Sequence, residues 1–339
     1  MTDLSTTCLS TTYLGLQLHS PLVASPGPLT GDPSMWERLE AAGAGAVVLP
    51  SLFEEQIEQE SFAVEYALTM GADSHGEALS YLPHLDGVEV GPDHHLDLVE
   101  LAKAALSIPV IASINGVSPG GWVRYARALA EAGADAIELN LYDPVTDPSY
   151  SAFDVERRYV ELIEEVKAEI HVPLAVKIGP WFTALAHTVA AFETAGADGL
   201  VLFNRLYQPD IHLDTLEVRP MLQLSTSADS RLPLHWIGAL RSTVRGSLAA
   251  SSGVHTGFDA LKLLLAGADV VMATSSLLLH GPEHLLEMRR EMVTWMDERE
   301  YESVRQLRGS VSRANVPDPQ VYDRANYFQA IHSWVGSPR

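Results

Sequence analysis

Hydrophobic and polar positions along the 339-residue chain repeat one unit. A helix-like segment ends in Ala-Gly-Ala-(Asp/Gly), and an apolar run follows at once. The unit occurs at Ala42–Gly45 before Ala46–Leu49, at Ala132–Asp135 before Ala136–Leu139, at Ala195–Asp198 before Gly199–Phe203, and at Ala266–Asp269 before Val270–Ala273. Glycine stops the helix, and an apolar run without alternation suits a strand buried on both faces. A second unit enters the strand through proline, at Ser107–Ser113 and His171–Lys177. With Pro21–Ala24 and Leu248–Ser251 the total is eight strands.

Segments with apolar residues at i, i+3 and i+4 lie between these runs: Met35–Ala42, His95–Ala105, Gly121–Ala132, Phe153–Glu169, Phe182–Ala195, His235–Val244 and Gly257–Ala266. Strict alternation predicts an α/β fold, a single (β/α)8 TIM barrel, with a doubly wound open sheet as the alternative. Ser51–His94 and Arg205–Leu234 exceed ordinary loops, so insertions forming lids, hairpins or an oligomer surface are expected after strands two and six. Glu283–Arg299 reads as the last barrel helix and Tyr301–Arg308 as a short extra one, with an irregular tail over Asn315–Arg339. One domain is expected over residues 1–339, its core spanning about 20–299 and a C-terminal extension covering 300–339.

Charge narrows the partners. The formal net charge is −22, which repels a polyanion while leaving local N–H groups able to hold one phosphate. Nucleic acid is therefore not an expected partner. A lone cysteine, Cys8, in an N-terminal segment expected to be mobile, precludes an internal disulfide and points to the cytoplasm. Neither a secretory leader nor a membrane-length apolar run is evident.

In closed parallel barrels the chemistry collects at the C-terminal strand ends. Those ends carry Ala24-Ser25-Pro26-Gly27, Pro50-Ser51, Ser113-Ile114-Asn115, Asn140-Leu141-Tyr142-Asp143, Lys177 and Asn204-Arg205. The last two strands end in Ser251-Ser252-Gly253 and Thr274-Ser275-Ser276, small residues that leave backbone N–H groups free to converge on a phosphate. Three asparagines and a lysine suit a flat heteroaromatic ring, since each amide both donates and accepts. Ring plus phosphate suggests FMN, with Lys177 stabilising negative charge on the reduced isoalloxazine. Two blander readings stand beside it: Asn140 and Asn204 cap the following turns, and Lys177 forms a Schiff base in a non-redox phosphate-binding lyase. His255, beside the phosphate seat, either contacts the anion or completes a turn. Arg205 either grips a substrate anion or pairs with a nearby acid. His94-His95 with Asp93 and Asp97 fits no familiar metal-ligand spacing, and no metal is expected.

Pro-Leu-Val-Ala-Ser-Pro-Gly (21–27), Ile-Ala-Ser-Ile-Asn-Gly (111–116), Glu-Leu-Asn (138–140), Pro-Leu-Ala-Val-Lys-Ile-Gly-Pro (173–180), Asn204, Ser-Gly-Val-His-Thr (252–256) and the 300–309 segment resemble, in order and spacing, the dihydroorotate dehydrogenase family, cytosolic class 1. The resemblance implies an FMN-containing barrel, a homodimer, and oxidation of the C5–C6 bond of dihydroorotate or an analogue. It places Ala24, Ser25, Ser113, Asn115, Asn140, Lys177, Asn204, Ser252, Gly253, Thr274 and Ser275 on FMN, and Asn140, Lys177 and Asp143 in catalysis. A tRNA dihydrouridine synthase, another FMN barrel, is disfavoured by the acidic charge balance.

The sequence also departs from the family. Its loop after strand four reads Asn140-Leu141-Tyr142-Asp143-Pro144-Val145, so Asp143 stands where the family has a Cys or Ser base, and no asparagine follows. A buried carboxylate can serve as a base; alternatively Asp143-Pro144 simply starts a turn. Pro50 replaces the family lysine after strand two, and the substrate asparagines fall near Ala78-Leu79-Ser80. A flavin-binding barrel without dihydroorotate activity, serving electron transfer or binding, is the resulting alternative.

Overall fold

The structure, a computed structural model, describes residues 7–57, 92–118, 120 and 123–333. Three short strands open the chain: β1 Thr11–Tyr13, β2 Leu16–Leu18 and β3 Leu22–Ala24. They are followed by α1 Pro33–Ala41, β4 Ala46–Phe53, α2 Pro92–Ala105, β5 Val110–Asn115, α3 Arg124–Glu131 and β6 Ala136–Leu141. Then come α4 Ala152–Glu169, β7 Leu174–Ile178, α5 Leu185–Ala195, β8 Gly199–Leu202, and a hairpin of β9 Pro209–His212 with β10 Glu217–Pro220. The chain closes with α6 Arg231–Leu240, β11 Ser247–Ser251, α7 Gly257–Ala266, β12 Val270–Ala273, α8 Ser275–His280, α9 His284–Glu298, α10 Val304–Leu307 and α11 Ala325–His332.

The eight runs expected as strands close into a parallel barrel in the order β11-β12-β3-β4-β5-β6-β7-β8. The open-sheet alternative is thereby excluded. Two apolar layers result. One, including Leu22, Val47, Ile137 and Val176, packs the outer barrel wall against the helices. The other fills the barrel interior with Val23, Val48, Ile111, Ala175 and Val201, and the β1–β2 hairpin plugs its base with Tyr13, Leu14 and Leu18. Sequence patterning did not anticipate this plug, because three-residue strands carry too little periodicity to register.

The Ala-Gly-Ala-Asp repeat acquires a physical meaning. Its glycines take left-handed φ values of 96° at Gly43, 107° at Gly133, 114° at Gly196 and 133° at Gly267, ending each helix. Its aspartates staple strand to strand. Asp135 accepts from Val110 N–H at 2.7 Å and pairs with Lys103; Asp198 accepts from Leu174 N–H at 2.8 Å and pairs with Lys167. Asp269 accepts from Leu248 N–H at 2.7 Å and pairs with Arg241 and Arg308. The first repeat has Gly45 instead, where a Cβ would lie 1.9 Å from the Ser20 carbonyl oxygen. No side chain fits there.

Several expectations need correction. The helix expected over His235–Val244 is displaced to Arg231–Leu240, started by the capping box of the preceding 3-10 turn at Ser227–Ser230. Thr274-Ser275-Ser276, read as a strand-end loop, begins α8, and the tail contains α11. Cys8 is tied down rather than loose: its N–H donates to Glu302 O at 2.9 Å and its carbonyl accepts from Val304 N–H at 3.0 Å. The β9–β10 hairpin is the insertion expected after strand six. Most of the insertion after strand two, including Ala78-Leu79-Ser80, lies outside the described residues.

Candidate active site

Parallel register aligns the polar strand ends. Asn115 is paired with Asn140 across β5 and β6, and Asn140 with Lys177 across β6 and β7. Strands lie about 4.8 Å apart, so the three side chains form one row on the barrel rim. Asn204, just beyond β8, extends that row: its amide donates to Asn140 Oδ1 at 2.9 Å, while its own Oδ1 accepts from Arg205 N–H at 2.8 Å. Asn140 and Asn204 thus lock one another's orientation as well as facing the opening.

They line a cavity of about 560 Å³ with Lys177, Ser25 and Pro50. Ser252, Gly253, Thr274 and Ser275 form its far wall. Ser252 and Gly253 both adopt positive φ, 85° and 74°, turning the backbone sharply at the end of β11. A Cβ on Gly253 would lie 2.2 Å from Ser230 N, so the turn packs directly on the neighbouring backbone. Ser275 Oγ accepts from Ser225 N–H at 3.1 Å, which ties the chain after β10 to this seat. His255 stands behind it, its Nε2 3.1 Å from Ser225 Oγ, and burial pushes its pKa below the usual imidazole value.

Two residues expected on the cofactor are placed differently. Ala24 packs in the outer apolar layer, because its side chain follows the strand's period of two away from the interior. Ser113 lies two residues below Asn115, one layer deeper, where its Oγ is 2.8 Å from Ser51 Oγ and donates to Glu138 Oε1 at 3.2 Å. Neither lines the cavity.

Glu138 itself was quoted only as part of a motif. It occupies the layer beneath Asn140, is 0% exposed, and sits 3.3 Å from Lys177 Nζ through Oε1, while its Oε2 has no hydrogen-bond partner among the described residues. A buried ammonium needs a counter-charge, and this carboxylate supplies it. Period-two counting from Asn140 is the signal that marks Glu138 as inward-facing.

Asp143, expected as the base, does not line this cavity. The chain turns at Asp143-Pro144, with Val145 N–H donating to Asp143 O at 3.0 Å, and the carboxylate pairs with Arg158 on α4. The turn reading accounts for its placement. From this loop it is Tyr142 that reaches the mouth, its hydroxyl accepting from Tyr207 N–H at 3.2 Å. Arg205 also lines the mouth, with one guanidinium N–H donating to Gln223 O at 2.7 Å. Among the described residues no group of acids, histidines or cysteines is arranged to hold a metal.

Fold and rim together define a (β/α)8 barrel with a polar mouth at the C-terminal strand ends. The family model for dihydroorotate dehydrogenase matches residues 86–296, more than half of the chain, and the protein belongs to that family. It is 27% identical over 314 residues to the catalytic subunit of dihydroorotate dehydrogenase B (NAD(+)) of Methanothermobacter thermautotrophicus, covering 89% of this chain and 97% of that one. It is 32% identical over 189 residues to dihydroorotate dehydrogenase A (fumarate) of Lacticaseibacillus paracasei, covering 54% and 64%. A crystal structure of dihydroorotate dehydrogenase from Eimeria tenella in complex with ferulenol shares the fold, with a TM-score of 0.62 at 16% identity over 89% of this chain and 88% of that one.

Proposed function

We propose that the protein is an FMN-dependent oxidoreductase acting on a CH–CH bond of a small cyclic substrate, in the manner of dihydroorotate dehydrogenase. The observation that carries this reading is the single cavity onto which Asn115, Asn140, Lys177 and Asn204 converge opposite Ser252-Gly253 and Thr274-Ser275. Its volume falls in the range of small-molecule and cofactor sites, roughly 300–1,000 Å³. The donor set suits FMN: amides and an ammonium for the ring edge, and backbone N–H groups and hydroxyls for the phosphate. FMN, when bound there, supplies the acceptor for a hydride taken from the substrate.

The chain's own residues would do the rest. Lys177 would hold negative charge at the ring, its position fixed from below by Glu138. The locked pair Asn140 and Asn204 would orient ring or substrate. Proton handling falls to the loop after β6, and Tyr142 rather than Asp143 is its side chain on the cavity. A homodimer belongs to the same reading, supported by Ile211, Leu213, Leu216 and Val218, all exposed on the β9–β10 hairpin. A cytoplasmic setting belongs to it too. Among the described residues no helix is long and apolar enough to cross a membrane.

A second reading, a flavoprotein that does not oxidise dihydroorotate, is favoured by Pro50 in the mouth and by Lys177 being charge-paired. Both reduce the positive charge available to a substrate carboxylate. Anaerobic mixing of the flavin-loaded protein with dihydroorotate tests the two. Bleaching of the flavin supports the first reading, and a spectrum that stays oxidised supports the second. In the first case Tyr142→Phe is expected to slow bleaching by about 10²-fold or more, as for loss of a proton-transfer group, with Asp143→Asn close to the parent.

A further inference from the structure

A second cavity, of about 680 Å³, lies beside the mouth and shares only Tyr142 and Asn204 with it. It is enclosed by the loop after β6, the first turns of α4, the loop after β7 and the chain after β8. Aromatic side chains dominate its walls: Tyr142, Tyr150, Tyr159, Trp181 and Phe182. Tyr159 and Phe182 meet edge to face at 6.4 Å, a fixed surface at its base. Tyr159 is 4% exposed, and burial, reinforced by the Asp143 carboxylate, pushes its hydroxyl up to about 12. It therefore stays neutral. Trp181, by contrast, is 74% exposed and presents its ring to the opening.

The charged lining is of one sign. Asp143, Asp147 and Glu156 line the cavity, and no lysine, arginine or histidine does so among the described residues. Asp143 is offset by Arg158, whose guanidinium also lies over the Tyr150 and Tyr159 rings at 5.7 and 5.8 Å, so those two rings already carry a cation. Asp147 only accepts hydrogen bonds at the Ser149 turn, and half-buried Glu156 forms no ion pair with any described residue. Among the described residues these two carboxylates have no cationic partner, and they share the cavity lining with Tyr142, Trp181 and Phe182, over which no described cation lies. Aromatic faces carry negative charge density and attract cations, more strongly where water is partly excluded. Carboxylates add a Coulomb term of the same sign, and the chain's net charge of −22 enriches cations around it.

We propose that this side cavity is a binding site for a flat heteroaromatic cation of quinolinium or pyridinium type, stacked on Trp181 with its charge toward Glu156 and Asp147. The site stands independently of FMN in the mouth. The same walls disfavour anions such as carboxylates and phosphates. Because Tyr142 belongs to both cavities, a ligand in the side site presses on the loop residue that faces the mouth.

N-methylquinolinium is the probe, with uncharged quinoline at pH 8 and quinoline-2-carboxylate as controls, titrated calorimetrically into the full-length protein as purified. The proposal expects the cation to bind about tenfold or more tighter than the carboxylate. Glu156→Gln is expected to lower cation affinity about tenfold, the equivalent of roughly 1.4 kcal/mol, with little effect on quinoline. Trp181→Ala should weaken both. Glu156 and Trp181 are on or near the surface, and circular dichroism reports whether either variant is folded. Ala152→Trp, which fills the rim at the start of α4, is the second steric test. Equal affinity for cation and carboxylate, or cation binding unchanged by Glu156→Gln, Trp181→Ala and Ala152→Trp alike, overturns the proposal. The flavin spectrum of the same samples reports the mouth separately, so failure there is distinguishable from failure here.

Discussion

At the scale of single residues, the account turns on Lys177 and the carboxylate beneath it. With Oε1 facing Lys177 and Oε2 unpartnered, Glu138 offsets the ammonium without access to solvent. Glu138→Gln removes that offset. With FMN bound as proposed, the uncompensated ammonium would stabilise negative charge on the reduced ring more strongly, and the flavin midpoint potential should rise by roughly 30 mV or more, taking about 30 mV per 1.4 kcal/mol for a two-electron couple. Spectroelectrochemical titration reads this, and an unchanged potential would count against Glu138 as the residue that sets the lysine's charge. Lys177 and the three asparagines were legible in the sequence because each ends an apolar run. Glu138 was harder to see: a carboxylate inside a strand breaks the hydrophobic pattern, and only register exposes its purpose. Asp143 lies on the neighbouring cavity rather than the mouth, and the sequence could not tell the two apart, since a motif position in a loop does not fix which way the side chain turns.

At the scale of elements, the end of β11 is the most constrained. Gly253 combines a φ of 74° with a backbone neighbour 2.2 Å from where a Cβ would sit. Gly253→Ala should cost on the order of 1–3 kcal/mol of stability and weaken FMN retention, both measurable by denaturant unfolding and equilibrium dialysis. His255, in the following loop, is partly buried and hydrogen-bonded near Ser225, and desolvation holds its pKa below 6.5. The unfolded chain therefore binds the proton more readily than the folded one. This contribution to stability is present above about pH 6.5 and is lost as pH falls through the folded pKa. The thermal midpoint should drop between pH 7.5 and 5.5, and less steeply in His255→Asn, as calorimetry would show. Element order was readable because glycine halts each helix just before an apolar run. The aspartate in the same repeat was overlooked, since its partner is the backbone N–H of a strand some 20 residues earlier, in Val110, Leu174 and Leu248. Sequence neighbours carry no trace of that bond.

At the scale of the whole molecule, barrel closure brings β12 beside β3 and β11 between β12 and β8, so that strand ends far apart in the chain share one rim. Strand counting was enough to foresee this. The β1–β2 plug and the side cavity were not foreseeable, because both depend on how loops and short segments fold back onto a completed barrel. The central claim is that the mouth holds FMN through Lys177, Asn140, Asn204 and the Ser252-Gly253 turn. The visible spectrum of the full-length protein, after equilibration with FMN and removal of the unbound fraction, tests it most directly. The account predicts one flavin per chain, with occupancy sharply reduced in Gly253→Ala. A colourless parent protein would contradict it.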